Sequence, residues 1–200
     1  MSGPVAASTR FQGLTLLVVA LFFAWGFATV LIDALIPKLK GLFDLNYAQA
    51  MLTQFAFFLA YLLMSVPAGA YLARVGYFRA IVLGLLVTAG GCLLFAPAAY
   101  AGVYWGFLGA LFVMACGITL LQVAANPLIA NLGPTATSHS RLNLAQAFNS
   151  LGTFIGPFVG AALILKGGVE IPEAARASAA TLAAFRKAAA PTVLAPFLGI

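Results

Sequence analysis

Charge is what this chain lacks. Of its 200 residues, ten are Lys or Arg, four are Asp or Glu and one is His. That is 7% charged, against roughly 25% in a soluble globular domain, too little to cover a water-facing surface. Hydrophobic residues make up 64% and mean hydropathy is +1.08, so the chain belongs in a lipid bilayer. The net charge of +6 and pI near 9.7 come from bases scattered singly or in pairs between apolar runs. They form no basic stripe, so they read as loop anchors, and no nucleic-acid partner is expected.

Other absences narrow the field further. There are two cysteines, Cys92 and Cys116, both inside apolar segments, so there is no disulfide framework and no CxxC redox or zinc pattern. Metal-ligand clusters, a catalytic triad and a phosphate loop are all missing, which points away from an enzyme and calls for no metal and no cofactor. Continuous apolar runs replace the alternation that barrel strands require. The N-terminal MSGPVAASTRFQG holds one Arg and leads into an apolar run longer than a signal peptide's core of about 7–15 residues. The first segment is therefore expected to be a retained membrane helix.

The expected fold is all-α, a polytopic membrane helical bundle, because backbone groups in the bilayer core must satisfy one another. A span needs about 20 mostly apolar residues. After a tail at 1–13, helices are expected at 14–36, 48–73, 80–97, 103–131 and 142–165. An extramembrane connection with short helical character follows at 166–190, and the start of a sixth, truncated helix at 191–200. No Asp, Glu, Lys or Arg occurs from Ala80 through Ser140; the PAAYAG turn divides that stretch, and NLGPTATSHSR, with His139 in a loop, ends its second helix. With the N-terminus inside, short inner loops hold Arg74, Arg79 and Arg141 against Lys38 and Lys40 outside. Counted over all segments the balance is four inside to six outside, so charge alone does not set the orientation.

Polar residues within spans tend to face a bundle interior or a wet cavity. At about 100° per residue they fall into lines. Trp25, Thr29 and Asp33 share one arc on the first helix, and Gln54, Tyr61 and Ser65 one on the second. Thr119, Gln122 and Asn126 line the fourth, with Asn143, Gln146, Asn149, Ser150 and Thr153 on the fifth. Four one-sided lines point to one common cavity, although interhelical polar contacts also serve simply as glue. Amides both donate and accept hydrogen bonds, which suits the neighbouring hydroxyls of a sugar. Trp25, Phe22 and Tyr61 offer flat faces to its C–H groups. An anionic substrate would want Arg or Lys, and the spans contain none.

Asp33 is the only acid in any span. A charge at the membrane centre costs about 2.5–3.5 kcal/mol on insertion scales, so a low-dielectric site favours its neutral form and suits it to carrying a proton. The alternative is an interfacial Asp capping the outer end of the first helix. Gly152, Gly156 and Gly160 form GxxxGxxxG, a close-packing face. The first three helices can also be laid over the next three. DALIP then falls near QVAANP, and AQA opens both the second and the fifth helix, a three-plus-three plan used by transporters.

The segments VLIDALIP, SVPAGAYL, LQVAANP and RLNLAQAFNSLGTFIG resemble the fucose–galactose–glucose:proton symporter family of the major facilitator superfamily. The resemblance runs from about Phe22 to Phe197. It implies an N-terminal six-helix half with 3+3 inverted repeats, a C-terminal six-helix half as partner, and a multi-pass place in the cytoplasmic (inner) membrane. It also implies symport of a neutral hexose with a proton. By that resemblance Asp33 matches the proton-coupling acid, and Asn143, Gln146 and Asn149 match a polar line on the fifth helix. Gln122 stands where L-fucose-type members carry a second acid, a Glu, and so fits the glucose/galactose type. GAYLARVGYFR resembles the superfamily's loop signature through Gly69, Arg74, Gly76 and Arg79, but Ala73 occupies its usual Asp place, so a charge latch there is not expected. Two alternatives stand beside this reading: a carrier of the same fold for a different neutral solute, and a non-transporting membrane scaffold or sensor.

Overall fold

A computed structural model describes residues 4–162, together with 172, 178, 180–185 and 187–189. Every regular element among them is helical: α1 (Pro4–Phe43), α2 (Tyr47–Val75), α3 (Tyr77–Ala101), α4 (Tyr104–Asn131) and α5 (Ser138–Gly160), with a 3-10 turn at Thr135–Thr137 before α5. The first four are long and apolar enough to cross a membrane. α5, at 23 residues, reaches about 34 Å at 1.5 Å per residue and carries the most polar face.

Helix boundaries depart from the sequence expectation where packing or capping outweighs a breaker. Residues 4–13 are helical rather than a tail. α1 was expected to stop before Pro37 but runs on to Phe43. Leu39, Leu42 and Phe43 are buried, and the Phe43 ring lies 6.0 Å from Tyr104 and 5.5 Å from Phe107. That anchorage carries the helix past a residue that removes one backbone donor and leaves the Asp33 carbonyl without its ladder partner. The helix ends at Asp44, whose φ of 54° is a left-handed conformation that Asp tolerates better than most residues. Asn46 and Gln49 then start α2 with reciprocal side-chain-to-backbone bonds of 2.8 and 3.0 Å, a capping box. α3 begins at Tyr77 rather than 80 because Gly76, at φ 79°, turns the chain in one residue. His139 stands in the first turn of α5 rather than in a loop. The expected sixth helix at 191–200 and most of the 166–190 connection lie outside the described residues. Within the connection, 180–185 and 187–189 are helical, and Phe185 and Ala189 pack against the core.

Two glycine seams hold the bundle. Along the first, α1 and α5 run parallel, since Gly26 meets Asn149, Gly152 meets Phe23 and Phe27, Gly156 meets Val30, and Gly160 meets Ala34. A Cβ on Gly152 would collide with the Phe23 carbonyl, and one on Gly160 would sit 2.8 Å from the Ala34 Cβ. The GxxxGxxxG face is thus the α1 contact. Along the second, α3 and α4 run antiparallel: a Cβ on Gly91 would lie 2.6 Å from the Met114 Cα, and one on Gly84 2.8 Å from Leu121. α4 also runs parallel to α2, tied at 49–53 to 104 and at 61 to 122. The parallel pairs α1–α5 and α4–α2 are the equivalents that a three-plus-three inverted repeat demands.

Gly152→Ala is expected to lower the thermal midpoint in detergent, since forcing a methyl into a closed contact costs about 1–3 kcal/mol. Gly90→Ala, whose Cβ meets nothing within 4 Å, should leave the midpoint level or raise it slightly. Equal midpoints for both variants would show that the seam does not carry stability.

Candidate functional site

Four hydrogen bonds from polar side chains link α1, α2, α4 and α5 into a ring, here called the circuit. Gln54 Nε2 on α2 donates to Asp33 Oδ1 on α1 at 3.4 Å. Two turns further along the same side of α2, the Tyr61 hydroxyl accepts from Gln122 Nε2 of α4 at 3.0 Å. One turn later on α4, Asn126 Oδ1 accepts from Gln146 Nε2 of α5 at 3.4 Å. Asn149, a turn up α5, donates through Nδ2 to the Phe22 carbonyl of α1 at 3.0 Å. α3 takes no part; it backs α4 from the other side through the second seam.

The circuit has two levels. Because α2 runs against α1, the seven residues from Gln54 to Tyr61 retreat along α1 by about 10 Å. Tyr61, Gln122, Asn126, Gln146 and Asn149 therefore share the level of Phe22 to Gly26, which the Gly26–Asn149 contact fixes independently. Asp33 and Gln54 lie two turns away. Gln54, Tyr61, Gln122, Asn126 and Asn149 are half-buried, while Asp33, Asn143 and Gln146 are exposed. The face is therefore open, with Asn143 one turn before Gln146 at its edge. Unlike Lys or carboxylate groups, this cluster of amides and a phenol presents donors and acceptors without net charge.

Several expected members lie elsewhere. Trp25 is buried at 6% exposure, its ring centroid 4.1 Å from Phe22. It borders a separate apolar groove of about 600 Å³ with Leu21, Ala24 and Ala28 of α1 and with residues of α3 and α4 such as Leu85, Cys92 and Ile118. The polar arc drawn on α1 straddles two faces, and Trp25 sits at the one turned towards that groove. Thr29, Ser65, Thr119 and Thr153 bond back to carbonyls three or four residues earlier on their own helices, which satisfies their hydroxyls within the helix. The expected α2–α3 loop shrinks to Gly76: Gly69, which meets nothing within 4 Å, and exposed Arg74 lie on α2, and exposed Arg79 lies on α3. Gly76 alone of that set has a required backbone role, through its positive φ.

The sequence reading missed two fastenings of α4. The Tyr104 hydroxyl donates to the Gln49 carbonyl at 2.6 Å and lies 3.0 Å from Thr53 Oγ1, tying the start of α4 to α2. Arg141 ties the other end of α4 to α5 through two bonds to α4 carbonyls, with two more to Pro134 and Thr137 between the helices. Arg141 lies ten residues past the end of α4, whose last turn holds no basic residue, so local spacing did not mark the second. Nothing in the local pattern marked the first, nor the Phe22 carbonyl as the acceptor for Asn149.

Comparison with known proteins follows the same lines. The Major Facilitator Superfamily model matches residues 14–196. A glucose/galactose transporter of Brucella abortus (strain 9-941) is 54% identical over 180 residues, covering 90% of this chain and 44% of the relative. An L-fucose-proton symporter of Escherichia coli (strain K12) is 43% identical over 149 residues, 74% of this chain and 34% of that protein. The crystal structure of the transporter FucP in an outward conformation superposes with a TM-score of 0.79 at 36% identity, over 94% of this chain and 46% of that one. The chain spans about half the length of the relatives and structures it matches.

Tyr61→Phe removes the acceptor for Gln122 without changing the ring. In a double-mutant cycle with Gln122→Ala, read by unfolding in mixed detergent, the pair is expected to show coupling of about 0.6 kcal/mol, the usual size for interhelical bonds in membranes. Additive effects would mean that the bond does not hold α2 to α4.

Proposed function

The chain belongs to the Major Facilitator Superfamily, and from that premise we propose that it is the N-terminal half of a secondary transporter that moves a neutral hexose together with a proton by alternating access. The observation that carries this reading is the open cluster of Tyr61, Gln122, Asn126, Gln146 and Asn149 at one level of the bundle. With Asn143 at its edge, it forms one wall of a sugar site. Its amides can meet adjacent hydroxyls as donor to one and acceptor from the next, and no charge in it would hold an anion. Trp25 belongs to the apolar groove and is left out of that wall. The chain performs no chemistry on its substrate, so it is not an enzyme. The facing wall comes from a C-terminal six-helix half, and the setting is the cytoplasmic (inner) membrane.

Asp33 carries the proton in this scheme. Ionised, its carboxylate accepts from the Gln54 amide; protonated, it becomes a donor, and the same amide can answer by presenting its oxygen. Each protonation state thus favours a different orientation of the Gln54 amide on α2. Since α2 also holds Gln122 through Tyr61, a proton on Asp33 acts on the sugar wall through that helix, two turns away, rather than by touching the sugar. Gln122 cannot titrate, which leaves Asp33 as the single coupling acid on this half and favours the glucose/galactose type over the L-fucose type.

The test is sugar-induced proton uptake in cells expressing the natural reading frame that contains these residues. Glucose or galactose added to a weakly buffered suspension is expected to alkalinise the medium. Asp33→Asn should abolish that signal and proton-driven accumulation while sparing sugar exchange. Hexose entry with no pH change would leave a facilitator and return Asp33 to a structural role; no hexose movement at all would overturn the sugar assignment. Alanine at Gln146 or Asn149 is expected to raise the half-saturation concentration about 2- to 10-fold, the worth of one hydrogen bond. Unaltered kinetics in both would remove that wall from the site.

A further inference from the structure

Arg141 stands in the first turn of α5, outside the polar circuit, and uses its guanidinium on the end of another helix. Its Nε donates to the Ile129 carbonyl at 3.1 Å and its Nη2 to the Ala130 carbonyl at 2.6 Å. Nη1 donates to the Pro134 carbonyl at 3.1 Å and to Thr137 Oγ1 at 2.6 Å. Ile129 and Ala130 belong to the last turn of α4, where carbonyls have no donors within the helix and the helix dipole places partial negative charge. The chain's own cap is poor there: the Leu132 N–H reaches the Ile129 carbonyl at 3.4 Å. The loop is shaped around the cation, since Gly133 has φ 134° and a Cβ on it would lie 3.2 Å from Arg141 Nη1. One side chain therefore fastens the end of α4, the loop and the start of α5.

That fastening lies one turn from the sugar wall. Asn126 precedes Ile129 by three residues, about 4.5 Å along α4, and Gln146 follows Arg141 by five on α5. Between Asn126 and the clasp sits Pro127, which lacks an N–H, so the Val123 carbonyl loses its ladder bond and the last turn of α4 is held less firmly by the helix itself. The Asn126–Gln146 bond is already at 3.4 Å, beyond the usual range for N–H donors. A shift of a few tenths of an ångström between the two helices would open it. Apart from that bond, the hydrogen bonds that join α4 to α5 among the described residues are those of the Arg141 clasp. Its fork of donors reaches two adjacent α4 carbonyls at once, a geometry that the single nitrogen of Lys cannot reproduce.

We propose that Arg141 is a positioning residue for the sugar site: it sets the separation of Asn126 and Gln146 by clasping α4 to α5, without touching the sugar. This rests on the reading of the amide cluster as a sugar wall, and two independent measurements keep the two ideas apart. The first is equilibrium hexose binding to the purified transporter, expressed from its natural reading frame. Arg141→Lys is expected to weaken binding about 2- to 10-fold, with the maximal exchange rate little changed. In a Gln146→Ala background the same substitution should add nothing further, because the pair it positions is already gone. Arg141 and Gln146 effects that simply multiply would overturn the inference.

The second measurement needs no sugar. With Cys92 and Cys116 replaced by Ser, Asn126→Cys and Gln146→Cys are joined by a short bifunctional thiol reagent, and the cross-linking rate is compared with and without Arg141→Lys. A several-fold slower rate in the Lys variant supports the inference, and an equal rate overturns it. Arg141→Gln serves as the second variant if Lys lowers the yield of folded protein. Failure of any hexose to bind the wild-type transporter would sink the sugar reading, while the cross-linking rate would still decide the role of Arg141 in spacing the two helices.

Discussion

The backbone contact between α1 and α5 is the constraint on which the rest of the bundle depends. Inside a bilayer, lipid tails are as apolar as leucine, so helices gain little from burying hydrophobic faces against each other and associate instead by close packing and hydrogen bonds. Gly26 on α1 and Gly152, Gly156 and Gly160 on α5 remove the side chains that would hold the two axes apart. Only at that separation can the Asn149 amide reach the Phe22 carbonyl, which closes the circuit and sets the level of the amide cluster. The α3–α4 seam does the same on the opposite side with Gly84, Gly91 and Gly117. It leaves the other face of α4 free to carry Gln122 and Asn126.

On the proposed reading, the arrangement separates proton and sugar in space. The acid stands near one end of the circuit with Gln54, and the amides stand about 10 Å away along α1. Among the described residues no hydrogen bond joins Asp33 to that cluster; α2 meets both, through Gln54 and Tyr61, and α1 carries Asp33 and takes the Asn149 bond. α4, in turn, is pinned at its start by Tyr104 and at its end by Arg141, so it serves as the fixed member against which α2 and α5 are placed. That division accords with a carrier in which the proton and the sugar affect one another by moving helices rather than by sharing a hydrogen bond.

Much of this was legible from residue type alone, because a polar group in an apolar run is conspicuous and helical spacing assigns it to a face. The lines on α2, α4 and α5 foretold Tyr61, Gln122, Asn126, Gln146 and Asn149 as neighbours, and the GxxxGxxxG face foretold a close contact without naming its partner. What stayed hidden depended on tertiary geometry. Pro37 reads as a stop, yet buried Leu39, Leu42 and Phe43 carry α1 beyond it. Trp25 shares an arc with Asp33, yet an arc that wide spans two faces, and its indole turns towards the apolar groove. A backbone carbonyl such as that of Phe22 has no letter of its own, so its use as an acceptor could not be read. The hydroxyls of Thr29, Thr119 and Thr153 look like site residues in sequence and are spent on their own helices.

The pairing order also bears on how such a chain is made. Asp33 meets its partner Gln54 after only 21 further residues, whereas Gly26 must await Asn149, 123 residues later by numbering. At a synthesis rate of about 5–20 residues per second, the first interval lasts roughly 1–4 s and the second roughly 6–25 s. The nascent chain therefore gives its membrane carboxylate a hydrogen-bond partner early and keeps its tightest seam open until α5 emerges. Throughout that wait the glycine face of α1 needs a temporary neighbour, whether lipid or the insertion machinery. Among the contacts of α1 to α5, the seam that sets the bundle's spacing is thus one of the last to form.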